Sequence, residues 1–342
     1  MSNAGKMNVN KTVVLELNYQ CNLHCIHCYI PDTEKHPMRF MEYADAKEVL
    51  DQLKKYGFRR ILITGGEPLF NPDFEKIYSY AWDLGFIITL FTNATLMNKE
   101  KTELLVKKRP AMIRISLFGA DRNSYETITG QNRYTEVCEK ILYLKAQGVN
   151  VTVKIPLLRQ NDVVKMKEIQ AEFSAKGIST KIEVRILPRF NGDTEAVNYR
   201  YTPQEIIDLR IDNEGRGSEY YRQIKKLPQK KARDISYCIH VCQPFVINPE
   251  MNLQLCFFIR EISVNLKENS FEKACHLLVE KVSEEYKEET FCECLQCDKQ
   301  YLCPYCPGWA KTEVGKVNEK IPFLCELVKL YEEKYDCLSE SI

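Results

Sequence analysis

The chain has 342 residues, 44% hydrophobic and 28% charged, which suits a globular protein with one large domain and a smaller one. Its 48 Lys and Arg against 47 Asp and Glu leave a net charge of +1, so nothing in the charge calls for nucleic acid or an anionic membrane as partner. No apolar run approaches the ~20 residues that span a bilayer, and no apolar signal core opens the chain, so a cytoplasmic location is expected. Residues 1–11 read as a tag-like, unordered start and are left out of fold reasoning.

Residues 12–17 read as a first strand. Residues 42–56 place Ala46, Val49, Leu50 and Leu53 at helical spacing. A strand at 60–64, a helix at 72–84, a strand at 87–91, a helix at 98–107 and a strand at 112–116 follow. A helix at 134–147 then leads to a strand at 149–155, and a helix at 162–176 ends at Gly177 before a sixth strand at 182–187. Parallel strands need crossover helices, so six such units imply a parallel sheet, open or curled partway into a barrel. Its site belongs at the C-terminal ends of the strands. The expected architecture is α/β: a partial (β/α)6 barrel over 12–190, a bridging region over 191–237, and a cysteine-rich domain over 238–342 closed by a helix at 318–336. The basic run 225–233 in the bridge reads as a solvated face.

Fifteen cysteines in a reducing compartment point to metal rather than disulfides. Three lie between 21 and 28, one at 138, and eleven between 238 and 337. Cys21-Asn22-Leu23-His24-Cys25-Ile26-His27-Cys28 follows the first strand. Three thiolates hold three irons of a four-iron cluster and leave the fourth iron open. The alternative is a structural zinc completed by His24 or His27, but the position after a parallel strand favours iron–sulfur. After the second strand comes Gly65-Gly66-Glu67-Pro68. Its glycines allow close backbone approach, its carboxylate can accept from an ammonium, and its proline stiffens the exit; a plain turn is the alternative. Asn93 after the third strand and Ser116 at the end of the fourth suit ribose hydroxyls or caps. Lys154 and Arg185, on the fifth and sixth strands, suit a carboxylate or a surface ion pair.

These motifs, in this order over about 12–190, resemble the radical S-adenosylmethionine (SAM) superfamily. The resemblance implies that Cys21, Cys25 and Cys28 hold a catalytic [4Fe-4S] cluster whose open iron is chelated by the amino and carboxylate groups of SAM. It implies that Gly65, Gly66, Glu67 and Pro68 bind the methionine amino group, that Asn93 and Ser116 contact SAM, and that Lys154 or Arg185 pairs with its carboxylate. Reductive cleavage of SAM would give a 5′-deoxyadenosyl radical that abstracts hydrogen from substrate. His27 stands where the family usually has an aromatic residue.

In the second region Cys294 and Cys297, then Cys303 and Cys306, form close pairs, with Cys325 after them and Cys238, Cys242 and Cys256 before. In isolation the pairs suit a zinc ribbon. Behind such a core the set resembles the SPASM extension, which carries two auxiliary [4Fe-4S] clusters. The chain departs from that pattern in the short spacing of Cys303 and Cys306 and in Met251, where a glycine is expected. The resemblance assigns Cys238, Cys242, Cys256 and Cys306 to one cluster and Cys294, Cys297, Cys303 and Cys325 to the other. Cys138, Cys275, Cys292 and Cys337 read as free thiols. Tyr305, His240 and Asp298 lie near the auxiliary ligands as acid–base candidates, or as packing and surface groups.

The subgroup's usual substrates imply an oxidoreductase that matures a ribosomally synthesised peptide by a thioether or carbon–carbon crosslink or by residue oxidation. Its partners would be the peptide, a separate leader-binding protein (the first strand starts too early for a leader domain), and an external one-electron reductant of flavodoxin or ferredoxin type. The alternatives are a radical SAM dehydrogenase of a small molecule and a non-catalytic iron–sulfur or zinc electron-transfer or binding protein.

Overall fold

Strand β1 (Thr12–Glu16) is buried at four of its five residues, as a strand covered on both faces must be. In this computed structural model, which describes residues 12–209, 234–289 and 293–336, it lies near the middle of a nine-stranded sheet. The start at 1–11, the basic run at 225–233, Cys292 and Cys337 lie outside the described residues. Strands β2 (Arg60–Thr64), β3 (Ile87–Thr92), β4 (Met112–Ser116), β5 (Val151–Pro156) and β6 (Ser179–Glu183) follow β1 in parallel, each beside its predecessor. The crossovers carry helices α1 (Tyr43–Lys55), α2 (Phe74–Asp83), α3 (Lys99–Lys107), α4 (Arg122–Thr129), α5 (Tyr134–Ala146) and α6 (Val163–Ala175). Their apolar stripes cover the sheet: Ala46, Val49, Leu50 and Leu53 of α1 are all buried.

The sixth strand is shifted from its expected place. Backbone pairing with β5, Val153 opposite Thr180 and Ile155 opposite Ile182, puts it at Ser179–Glu183, so Arg185 stands just past its end. Val184 and Ile186 continue the apolar run but pack as loop. Helix α4 was not expected. Its start is a capping box in which the Asp121 carboxylate accepts from Ser124 N–H and Ser124 Oγ accepts from Asp121 N–H, and it ends at Gly130 with φ 74°.

The C-terminal cysteine region does not stand apart as a second core. Strand β7 (Val246–Ile247) pairs in parallel with β1, and β8 (Asn252–Gln254) and β9 (Ser263–Asn265) extend the same sheet antiparallel. A short helix α7 (Pro203–Asp208) precedes this region, and α8 (Phe271–Glu285), α9 (Pro307–Val314) and α10 (Pro322–Asp336) follow β9. Phe271 of α8 meets Phe58 edge-on at 5.5 Å and Phe245 at 6.2 Å, and its N–H donates to Gln52 of α1 at 2.6 Å. Met251, at the tight turn into β8, has φ 67° where glycine would sit without strain; its buried side chain offsets a cost of about 1–2 kcal/mol. Among the described residues no helix is long and apolar enough to cross a membrane.

Candidate active site

The chain leaves β1 and turns into the first cysteine loop, which neighbouring elements hold in place. His24 N–H donates to Thr129 O and Ile26 N–H to Ile128 O, both at 3.0 Å, so the loop rests on the last turn of α4. Gln131 donates to Asn22 O at 2.6 Å, and Asn22 donates to Thr95 Oγ1 at 2.8 Å. Leu23 N–H and Asn93 Nδ2 both direct donors at Cys21 Sγ, at 3.5 Å. Donors aimed at a sulfur favour the thiolate, the form that binds iron. Burial pushes the Cys21 thiol up to about 12 and raises those of Cys25 and Cys28; Glu67 and Cys28 add to the rise at Cys21, and Cys28 and Cys21 to the rise at Cys25. Three mutually repelling, desolvated thiolates call for a cationic centre between them, and its binding must release protons. Among the described residues no group of three or more His, Cys, Asp and Glu gathers tightly enough for a single metal ion. Three thiols carried on one loop are a donor set that suits an iron–sulfur cluster with one iron left open. His27 packs its ring 5.5 Å from Phe118, and burial pushes its imidazole down to about 4.

The glycines of the second motif are fixed by the backbone beside them. A Cβ on Gly65, where φ is 148°, would meet Asn18 O at 2.3 Å, and one on Gly66 would meet Gln20 O and Tyr19 O at 2.4 Å. Gly66 N–H bonds Asn18 O and Glu67 N–H bonds Gln20 O, which locks the exit of β2 against the start of the cysteine loop. The Glu67 carboxylate is fully buried and accepts from Leu69 N–H at 3.1 Å, Thr92 Oγ1 at 2.6 Å and Asn93 N–H at 2.7 Å, so it ties β2 to β3. Burial pushes its pKa up to about 7 against these bonds. Pro68 is buried at the start of the turn that follows. Asn93 is likewise drawn into holding the loop through Cys21, Asn22 and Thr95.

A cavity of about 470 Å³ opens at the C-terminal ends of the strands. Cys21, Cys25 and Cys28 line it, together with Gly65, Gly66 and Asn93 and with Ser116, Lys154 and Arg185. Its size and mixed polarity suit a nucleoside-sized ligand. Lys154 and Arg185 do not stand alone: Glu183, which carries no sequence signal of its own, takes Lys154 Nζ at 3.1 Å and Arg185 Nε at 2.9 Å. Burial would raise the Glu183 pKa, but Arg185 and then Lys154 overcome it and hold it near 2. The cavity wall thus presents two cations around one anion.

Phe257 and Phe258, next to Cys256, close the remaining side. A Cβ on Gly308 would lie 2.7 Å from that of Phe258, so the Cys256 and Cys306 segments are pressed together. Backbone N–H groups of Phe258 and Ile259 point at Cys256 Sγ, and those of Gly308 and Trp309 at Cys306 Sγ. The Cys306 thiol is raised by burial and by Cys242, and that of Cys256, pushed up to about 12, by burial and by Cys306. Of the four residues expected in the first auxiliary set, Cys256 and Cys306 lie on segments that meet through Phe258 and Gly308, and Cys238 begins the π-type turn that ends at Cys242. Of the other set, Cys294 and Cys297 share one short turn (Glu293–Gln296 and the residue after it), Cys303 follows it, and Cys325 is exposed on α10. Cys275 is buried in α8 and Cys138 half-buried in α5. Tyr305 donates to the carbonyls of Val317 and Glu319, a packing role, and Asp298 is exposed.

A second link absent from the sequence reading joins the two regions. Arg260 donates to both Glu16 oxygens at 3.0 and 3.3 Å and to Tyr19 OH, and its guanidinium lies 4.2 Å from the Phe190 ring centre. Phe190 in turn packs at a tilt against Tyr29, directly after Cys28, with ring centres 4.9 Å apart.

A parallel sheet with a three-cysteine loop after its first strand, a paired-glycine exit after its second and a nucleoside-sized cavity above both describes a radical SAM enzyme. Residues 15–169 match the model of the Radical SAM superfamily, so this segment carries that superfamily's domain. Its cofactors are accordingly a [4Fe-4S] cluster and SAM. The chain is 21% identical over 340 residues to an AdoMet-dependent heme synthase of Methanosarcina barkeri, covering 92% of this chain and 96% of that one. It is 28% identical over 168 residues to the subtilosin biosynthesis protein AlbA of Bacillus subtilis, covering 48% of this chain but 37% of AlbA. Its fold matches anSMEcpe with bound AdoMet and a peptide at a TM-score of 0.72 and 15% identity, over 96% of this chain and 97% of that one.

Proposed function

We propose that this enzyme modifies a ribosomally synthesised peptide, with residues 12–190 as the radical SAM core, 191–237 as a bridge and 238–342 as an auxiliary-cluster region. The observation that carries the reading is that Phe257 and Phe258, directly after Cys256 and pressed against Gly308 beside Cys306, line the same cavity as Cys21, Cys25 and Cys28. AlbA, a bacteriocin biosynthesis protein by name, and the peptide in the anSMEcpe structure support a peptide as substrate.

In this reading Cys21, Cys25 and Cys28 hold the SAM-binding cluster. Bound together, the cluster and SAM supply a one-electron reduction that breaks the S–C5′ bond and makes a carbon radical able to take hydrogen from substrate. The protein positions and shields. Leu23 N–H and Asn93 steady Cys21, the Gly65–Gly66 backbone admits the methionine end, and Ser116 offers its hydroxyl. Lys154 and Arg185 provide positive charge opposite the cysteines, while Phe118, Phe190 and Phe258 exclude water. Cys238, Cys242, Cys256 and Cys306 would hold one auxiliary cluster and Cys294, Cys297, Cys303 and Cys325 another. An external one-electron reductant and a separate leader-binding protein complete the proposal.

Reconstituted enzyme with SAM, reductant and candidate precursor peptides should release 5′-deoxyadenosine together with a mass change in the peptide. Release without any peptide mass change, across the candidates, contradicts the peptide reading. The heme synthase match favours a second reading, a small-molecule substrate, because it runs nearly the length of both chains. Turnover of a tetrapyrrole or another small molecule with peptides inert would establish that reading instead.

A further inference from the structure

Four rings line the cavity near one buried guanidinium. Tyr29 follows Cys28, Phe190 lies in the loop after β6, and Phe257 and Phe258 lie in the loop between β8 and β9. Phe190 N–H donates to Tyr29 O at 2.9 Å, so these two segments are joined by backbone as well as by their rings. Arg260, just after Phe258 in the same loop, ties the third segment to them. Its guanidinium lies over the Phe190 ring at 4.2 Å and the Tyr19 ring at 5.2 Å, while both Glu16 oxygens hold it from β1. The Glu16 side chain is 1% exposed and that of Arg260 13%, so each charge is neutralised by the other inside the protein. The charged residues lining the same cavity are Lys35, Lys154, Glu183 and Arg185, and each is ion-paired: Lys35 with Asp32 at 2.8 Å, the other three with one another. The four rings therefore form an aromatic patch with no charge of its own.

We infer that Tyr29, Phe190, Phe257 and Phe258 form a substrate subsite for an uncharged, ring-bearing or branched apolar group, with Arg260 as the positioning residue that keeps the patch in shape. This inference rests on the cavity being the site of the radical reaction. A planar guanidinium clamped by a carboxylate presents a fixed face to the ring packed on it. A ring that cannot turn gives the substrate one resting place, and hydrogen abstraction requires the reacting carbon to be held close and aligned. An apolar group gains by leaving water against such rings, whereas an ammonium or carboxylate would be desolvated there without a partner.

The test is calorimetry on iron-replete, oxidised enzyme, with and without bound S-adenosylhomocysteine, titrated with the N-acetyl amides of phenylalanine, leucine, lysine and glutamate. The phenylalanine and leucine amides should bind about 10-fold or more tighter than the lysine and glutamate amides, as apolar burial against rings implies. R260M should remove most of that preference and R260K restore part of it. F190A, which leaves the Arg260–Glu16 pair in place, should weaken the phenylalanine amide most. In R260M the phenylalanine amide should lose more affinity than S-adenosylhomocysteine does; equal losses would mean a general loss of structure and overturn the positioning role. Equal binding of apolar and charged amides, binding of none, or a preference that survives R260M also overturns the inference. So does competition between the phenylalanine amide and S-adenosylhomocysteine, which would give the patch to the SAM base. Wild-type enzyme that fails to bind S-adenosylhomocysteine is a separate failure, since it removes the reading of the cavity and the inference with it.

Discussion

The two cysteine regions are held in different ways. The loop from Cys21 to Cys28 is clamped by elements that fold without it: α4 receives its N–H groups, Gln131 and Thr95 fix Asn22, and Glu67, itself fastened to β3, anchors Asn93 behind Cys21. Most of the C-terminal cysteines proposed as ligands sit on short pieces, a π-type turn, a 3-10 turn and the start of α9, while Cys325 lies on α10. A sheet-borne loop can await its metal preformed. A set of ligands drawn from distant short segments needs the metal to order it.

Metal removal should expose that contrast most strongly. In iron-free protein, hydrogen exchange at 238–242 and 293–306 should rise by orders of magnitude, while 21–28 and α4 keep most of their protection. Equal loss in both regions would erase the distinction. The next largest effect tests the apolar bridge between the regions. F271A should destabilise the whole chain by about 3–5 kcal/mol in urea unfolding, with a single transition, because Phe271 packs on Phe58 of the core and Phe245 beside β7. Two separate transitions would mean that the regions fold independently.

G66A acts inside the clamped loop. Its methyl meets two carbonyl oxygens at 2.4 Å, so a cost of about 1–3 kcal/mol is expected, together with weaker binding of S-adenosylhomocysteine in calorimetry. Binding at full strength would show that the glycine exit is not shaped around the ligand. The smallest effect lies at the support of the loop. D121A removes the cap of α4 and should cost about 1 kcal/mol. Lys165, then the Ser124 N–H and hydroxyl, hold the Asp121 carboxyl near 2, below its unfolded value of about 3.9. Its contribution is therefore complete above about pH 4 and fades as pH falls towards 2. The gap between wild type and D121A in unfolding midpoint should narrow over that window and stay constant above it.

Much of the core was legible because its signals are local. Apolar spacing on α1, strand–helix alternation, and cysteines and glycines placed directly after strands all survive in one dimension. Helix α4 was missed although its Asp121–Ser124 capping box and Gly130 stop are written in the sequence; its short apolar stripe hid it. The position of β6 was set by pairing with β5 rather than by its most apolar run. Two residues of β7 joining β1 across more than 200 positions leave no local trace, so the C-terminal region was expected as a separate domain. The bonds that hold the Glu67 carboxylate come from Thr92 and Asn93 one strand away and leave no trace beside the motif itself.

The account rests on an iron in the first loop that only three thiolates leave open. Reduced, iron-replete enzyme should show an electron paramagnetic resonance signal that changes shape when SAM is added, and C25S should lose that SAM-sensitive signal while keeping the auxiliary ones. A first loop filled by zinc, or a cluster signal unchanged by SAM, would contradict it.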